Sequence, residues 1–131
     1  MGEPSDLSTS LSGLRILLVE DSWPGGVALR RLLSGLEAEV SGPAATAADA
    51  LRLASERPPD AALVDFNLRG GELADDLVEQ LREQGIHVVV MTGYTELPKA
   101  TRHPVALLHK PFGPAELLAS LRPVISRKAQ A

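Results

Sequence analysis

Short apolar runs alternate with helical patterns along the chain. Arg15 is followed by Ile16, Leu17, Leu18 and Val19, and the run stops abruptly at Glu20 and Asp21. A continuous apolar run of that length suits a strand buried on both faces. Trp23, Pro24, Gly25 and Gly26 read as a loop, after which Leu29, Leu32, Leu33 and Leu36 fall at helical spacing. Ala38 to Val40 predicts a short second strand closed by Ser41, Gly42 and Pro43. Thr46, three residues before Asp49, offers an N-cap for a helix with Ala47, Ala50, Leu51 and Ala54 as its buried stripe. Pro58 and Pro59 stop that helix, and Ala61 to Val64 predicts the third strand. Leu73, Leu77 and Leu81 then mark a third helix ended by Gly85.

His87 to Met91 predicts the fourth strand. The stretch from Glu96 to Pro104 holds Pro98 and Pro104 with few apolar residues, so the helix expected there is short or absent. Val105 to Leu108 is the fifth strand. Pro114 opens a last helix with Leu117, Leu118, Leu121 and Ile125 inward, which Pro123 is expected to bend or end early. Five strands alternating with helices predict an α/β fold: a doubly wound five-stranded parallel sheet in three layers, with right-handed crossovers. In such sheets ligands bind beyond the carboxyl ends of the strands.

Composition narrows this picture. A chain of 131 residues, 44% hydrophobic, is one domain with one sizeable core. The expected organisation is a flexible leader over 1–13, the folded domain over 14–127 and a tail over 128–131. The leader has no Lys or Arg and no apolar run, so it reads as neither a signal peptide nor an anchor. No apolar run approaches the roughly 20 residues that span a bilayer, and a cytoplasmic protein with no membrane partner is expected. With 17 acids against 13 bases and a net charge of -4, direct nucleic-acid binding is not expected. The absence of cysteine excludes disulfides, thiolate zinc sites and a cysteine nucleophile together.

Polar residues stand where the predicted strands end: Glu20 and Asp21 after the first, Asp65 after the third, Thr92 after the fourth and Lys110 after the fifth. All five converge on one end of the sheet. Three carboxylates in close range need a cation to stay ionised, and a hard, oxygen-preferring ion such as Mg2+ is the natural occupant. Asp21 and Asp65 are the expected direct ligands, with Glu20 acting through water. A carboxylate nucleophile that accepts a phosphoryl group needs this surrounding, because charge on the phosphoryl oxygens must be neutralised during transfer. Asp65 is then the acceptor, Lys110 a cationic partner of the phosphoryl oxygens and Thr92 a hydroxyl donor.

These residues resemble the receiver domain of two-component response regulators, of CheY-like, flavodoxin-like fold. The resemblance covers roughly Leu14 to Ile125. It rests on Val-Glu-Asp at Val19 to Asp21, Val-Asp at Val64 to Asp65, Thr-Gly at Thr92 to Gly93 and Lys-Pro-Phe at Lys110 to Phe112. It implies that Asp65 is phosphorylated from a histidine kinase or phosphotransfer protein, and that Asp21, Asp65 and the backbone carbonyl of Asn67 bind Mg2+. It further implies that Glu20 completes the acidic pocket, that Thr92 is the switch hydroxyl, and that the Lys110–Pro111 bond is cis. Phosphorylation would change a surface read by a downstream protein not named by the sequence, in a monomer or weak dimer. The only reactions implied are the domain's own phosphorylation and dephosphorylation.

Two departures stand out. Where receivers carry an aromatic switch residue, three positions before the lysine, this chain has Leu107, with Tyr94 as a candidate substitute. Met91-Thr92-Gly93-Tyr94 is similar to the Phe-Ala-Thr-Gly-Gly/Tyr stretch of an atypical receiver subgroup in which the helix after that strand is poorly formed, so the switch is expected to work by loop ordering. Two rival readings follow. One is a phosphorylation-independent interaction module. The other is an Asp-nucleophile phosphohydrolase resembling the haloacid dehalogenase superfamily, whose nucleophile motif Asp65-x-Asn67 echoes. Against the latter, the acceptor stands on the third strand and no insertion is long enough for a cap. Only Ser126 to Ala131 follow the last helix, so a stand-alone receiver or a part of a longer protein is expected.

Taken singly, these signals are weak: an acidic pair at a strand end is ordinarily solvated, and Lys-Pro or Thr-Gly ordinarily marks a turn. Their joint placement carries the reading. His87, His103 and His109 share no ligand spacing and receive no role. Trp23 is balanced between a cover over the pocket and a loop cap. Gly70–Gly71 fits no phosphate-binding fingerprint and reads as a turn.

Overall fold

The computed structural model of the chain describes residues 10–66, 74–93 and 106–130. In order these form β1 (Arg15–Val19), α1 (Trp23–Gly35), β2 (Glu39–Ala44), α2 (Ala47–Glu56), β3 (Ala61–Asp65), α3 (Ala74–Glu83), β4 (His87–Thr92), β5 (Ala106–His109) and α4 (Pro114–Gln130). The five strands make one parallel sheet in the order β2-β1-β3-β4-β5. The order reverses at β1, so β1 and β3 lie side by side at the switch point where such sheets bind ligands.

The unbroken apolar runs are explained by two cores, one on each face. Alternate residues Ile16, Leu18, Leu63, Val89 and Met91 meet Leu29 and Leu33 of α1 and Leu117, Leu121 and Val124 of α4. The intervening Leu17, Val19, Val64, Val88 and Val90 meet Ala50 and Ala54 of α2 and Leu77, Val78 and Leu81 of α3. Period-two alternation along each strand thus feeds both faces, and neither can be polar. The small alanine stripe of α2 brings it close to the sheet, and Thr46 caps it as expected, its Oγ1 accepting the Asp49 N–H at 3.1 Å.

Several boundaries differ from the sequence reading. The Trp23-Pro24-Gly25-Gly26 stretch is the start of α1, not a loop: Ser22 is the N-cap and Pro24 sits in the first turn, where its missing N–H costs nothing. Ser41, Gly42 and Pro43 do not close the second strand but belong to β2, which runs to Ala44. Pro123 does not end the last helix, which continues to Gln130; Leu117 and Leu121 before the proline and Val124 after it are all buried. Leu11, expected in the leader, is 1% exposed, and its N–H donates to the Leu36 carbonyl at 2.6 Å. The stretch between the fourth and fifth strands, where the helix is expected to be short or absent, falls outside the described residues.

Candidate functional site

Four of the five strands deliver a polar residue to the same end. Glu20 follows β1, Asp65 closes β3, Thr92 closes β4, and Lys110 follows β5. The register explains their convergence: Asp65 pairs with Met91 and Thr92 with His109, so the ends of β3, β4 and β5 are level. Two backbone bonds extend the ladder past the strands, Phe66 N–H to the Met91 carbonyl and Lys110 N–H to the Thr92 carbonyl, both 2.8 Å.

Glu20 (5% exposed), Asp65 (7%) and Thr92 (0%) are the buried polar residues among those described. Carboxylate oxygens of Glu20, Asp21 and Asp65 all lie within 4.8 Å of one another. Lys110 Nζ stands 3.0 Å from Glu20 Oε1 and 3.4 Å from Asp65 Oδ2. The Lys110–Pro111 peptide, which precedes the turn into α4, is cis as the resemblance implies. Asp21, Asp65, Glu20, Thr92 and Lys110 are thus brought together. Asn67 and Tyr94 lie outside the described residues.

Burial raises the pKa of Glu20 above its ordinary value, and the hydrogen bond and charge of Asp65 add to this; the hydrogen bond from Lys110 opposes it. For Lys110, burial works against the ammonium, but the Glu20 hydrogen bond and the charges of Asp65 and Glu20 outweigh it and leave its pKa raised. One ammonium therefore serves two carboxylates, with Asp21 beside them. The donor set is all hard oxygen with excess negative charge, which fits a magnesium-sized cation held by Asp21 and Asp65, with Glu20 adjacent. Such an ion would supply positive charge beside the three carboxylates.

One contributor was missed by sequence reasoning. Ser22 caps α1 and gives its N–H to Glu20 Oε2 at 3.3 Å, so the same short segment starts the helix and fixes the carboxylate. The Ser-Trp-Pro order is a helix-start signal that the two following glycines obscured. Trp23 is 75% exposed and so is no buried cover. Leu107 is 39% exposed on the edge strand β5. His87 serves structure, its Nε2 lying 2.9 Å from the Ser120 carbonyl of α4.

No family model matches the chain. It is 34% identical over 108 residues to the phyllosphere-induced regulator PhyR of Methylorubrum extorquens, covering 79% of this chain and 40% of that protein. The solution structure of the PhyR response-regulator receiver domain from Erythrobacter litoralis superposes with a TM-score of 0.77 at 26% identity, over 88% of this chain and 92% of that one. The chain is a response-regulator receiver domain. An anti-anti-sigma factor PhyR from Bartonella quintana gives a TM-score of 0.80 at 22% identity over 96% of this receiver but only 53% of the larger chain, which shows the shared fold. The receiver thus spans about half or less of these longer regulators.

Proposed function

We propose that this receiver accepts a phosphoryl group on Asp65 from a protein phosphohistidine, with Mg2+ held by Asp21 and Asp65 and by the Asn67 carbonyl. The observation that carries this reading is the meeting of three carboxylates within 4.8 Å with the Lys110 ammonium, at the switch point of the sheet. An Asp65 oxygen attacks phosphorus, the P–N bond breaks, and its electron pair leaves with the donor imidazole, which takes up a proton. Lys110 moves its charge from Glu20 toward a phosphoryl oxygen, and the Thr92 hydroxyl donates to another. The bound cation supplies charge neutralisation and orientation. The acyl phosphate then alters a surface read by a partner protein. The relatives' description as regulators, one an anti-anti-sigma factor, supports a signalling role over catalytic turnover.

Intact-mass analysis after incubation with Mg2+ and phosphoramidate tests this. One phosphoryl adduct is expected, absent from Asp65→Asn and from a chelated sample. A folded wild-type domain that takes no adduct would instead favour a phosphorylation-independent interaction module, the reading that Leu107 in place of an aromatic residue suggests.

A further inference from the structure

The register between β1 and β2 is interrupted close to the site. Leu17 pairs with Ser41 but Val19 pairs with Ala44, so β2 spends three steps where β1 spends two. The extra residue forms a bulge at Gly42–Pro43, opposite Leu18. Bulges re-aim the chain beside them and cluster at sheet edges and next to active sites. Here pairing resumes at the acidic pocket, where the Glu20 N–H donates to the Ala44 carbonyl at 2.9 Å.

The bulge is held by the neighbouring strand and by α1. On the β1 side, Gly42 has φ +100 and crosses the Leu18 carbonyl so closely that a Cβ would stand 2.4 Å from that oxygen; only glycine fits. Above it, Gly26 of α1 lies against the Pro43 ring, where a Cβ would come within 2.9 Å of Cγ and 3.0 Å of Cβ. That same Gly26 position is 3.7 Å from Glu20 Cγ, and a Cβ on Gly25 would be 3.7 Å from Glu20 Oε1. Laterally, the Arg30 guanidinium donates to the Gly42 carbonyl. The first turn of α1 therefore packs against the bulge and the Glu20 side chain together.

We infer that the β2 bulge, gripped by Gly26 and Arg30 of α1, is a positioning device that sets the placement of Glu20 and Asp21 and thereby the cation affinity of the pocket. Gly26, Arg30, Gly42 and Pro43 are positioning residues. They are not among the clustered carboxylates, and they act through the Glu20 backbone and the first turn of α1. This rests on the reading of the acidic cluster as a Mg2+ site. A wild-type domain that shows no Mg2+ binding refutes that reading, whereas variants indistinguishable from a binding wild type refute this inference alone.

The test compares wild type, Gly26→Ala and Arg30→Met by Mg2+ titration, followed by Trp23 fluorescence and the amide shift of Phe66. Gly26→Ala pushes α1 away from Pro43, and Arg30→Met removes the lateral clamp from an exposed position without disturbing the core. The expected result is Mg2+ binding about tenfold weaker for Gly26→Ala and about threefold weaker for Arg30→Met. Phosphoramidate labelling should slow at low Mg2+ and recover at saturating Mg2+. The double change Gly26→Ala with Pro43→Gly, which makes room for the new Cβ, should regain part of the loss relative to Gly26→Ala. Mg2+ affinities within twofold of wild type in both single variants would overturn the inference, as would a fall in melting temperature with unchanged affinity. If Gly26→Ala does not fold, Arg30→Met decides alone.

Discussion

The two ends of the sheet use the same residue types and reach opposite outcomes. At the amino end, Arg15 and Arg57 flank Glu39, and Lys128 of α4 pairs with Asp60, whose other oxygen accepts the Arg15 N–H at 2.8 Å. These charges alternate in sign, and most are at least half-exposed. At the carboxyl end, Glu20 and Asp65 are buried beside Asp21 and share one ammonium. Exposed, balanced pairs contribute about 0–1 kcal/mol each and leave nothing to be neutralised. Buried, unbalanced carboxylates are costly to keep charged, and that cost is what a bound cation removes. The charges are thus balanced at one end of the sheet and unbalanced at the other, where the proposed function places the cation.

The largest effect that sharpens this contrast is at the acceptor. Asp65→Asn should abolish phosphoryl labelling entirely while leaving a folded domain, and it should raise the thermal stability of the metal-free protein by relieving repulsion at Glu20. Circular dichroism melts in chelator check the second part.

Lys110 comes next. Lys110→Ala leaves Glu20 and Asp65 without their shared cation, and a loss of about 2 kcal/mol of metal-free stability at neutral pH is expected. Lys128→Ala at the amino end should cost under about 1 kcal/mol by the same urea titration. Equal losses at the two ends would break the comparison.

A pH series follows from Glu20. Its folded-state pKa is raised by burial and by Asp65, so its contribution is full below the unfolded value and is lost as pH rises through the folded one. Without metal, stability should therefore decline with rising pH above the ordinary carboxylate range, and the decline should vanish in Glu20→Gln. Millimolar Mg2+ at neutral pH should restore it in the wild type. A cap gives the smallest effect expected on the site itself: Thr46→Ala removes the hydroxyl that accepts the Asp49 N–H, and should cost about 1 kcal/mol of stability and leave Mg2+ binding unchanged.

Much of this was legible in the sequence. The apolar runs give the strands because both faces of a parallel sheet need cover, and the first, third and fourth runs stop at a polar residue that becomes part of the site. Glu20, Asp21, Asp65, Thr92 and Lys110 could be gathered at one end from strand order alone. What the sequence hid was tertiary. Gly42–Pro43 carries the signature of a turn, and only its packing between the Leu18 carbonyl, Gly26 and Arg30 makes it a bulge inside a strand. Trp23-Pro24-Gly25-Gly26 carries loop residues, yet the Ser22 cap and the close approach of Gly26 to Pro43 make it helix. Pro123 signals a stop, but the burial of Leu121 and Val124 on either side carries the helix through.

The most direct test of the contrast between the two ends is an amide NMR titration of the receiver with Mg2+ and then with phosphoramidate. Shifts are expected only at the carboxyl end, at Glu20 to Ser22, Asp65 and Phe66, Thr92 and Gly93, and Lys110, with Asp60, Arg127 and Lys128 unmoved. Absence of Mg2+-dependent shifts at the acidic cluster, or shifts centred on the amino end, would contradict it.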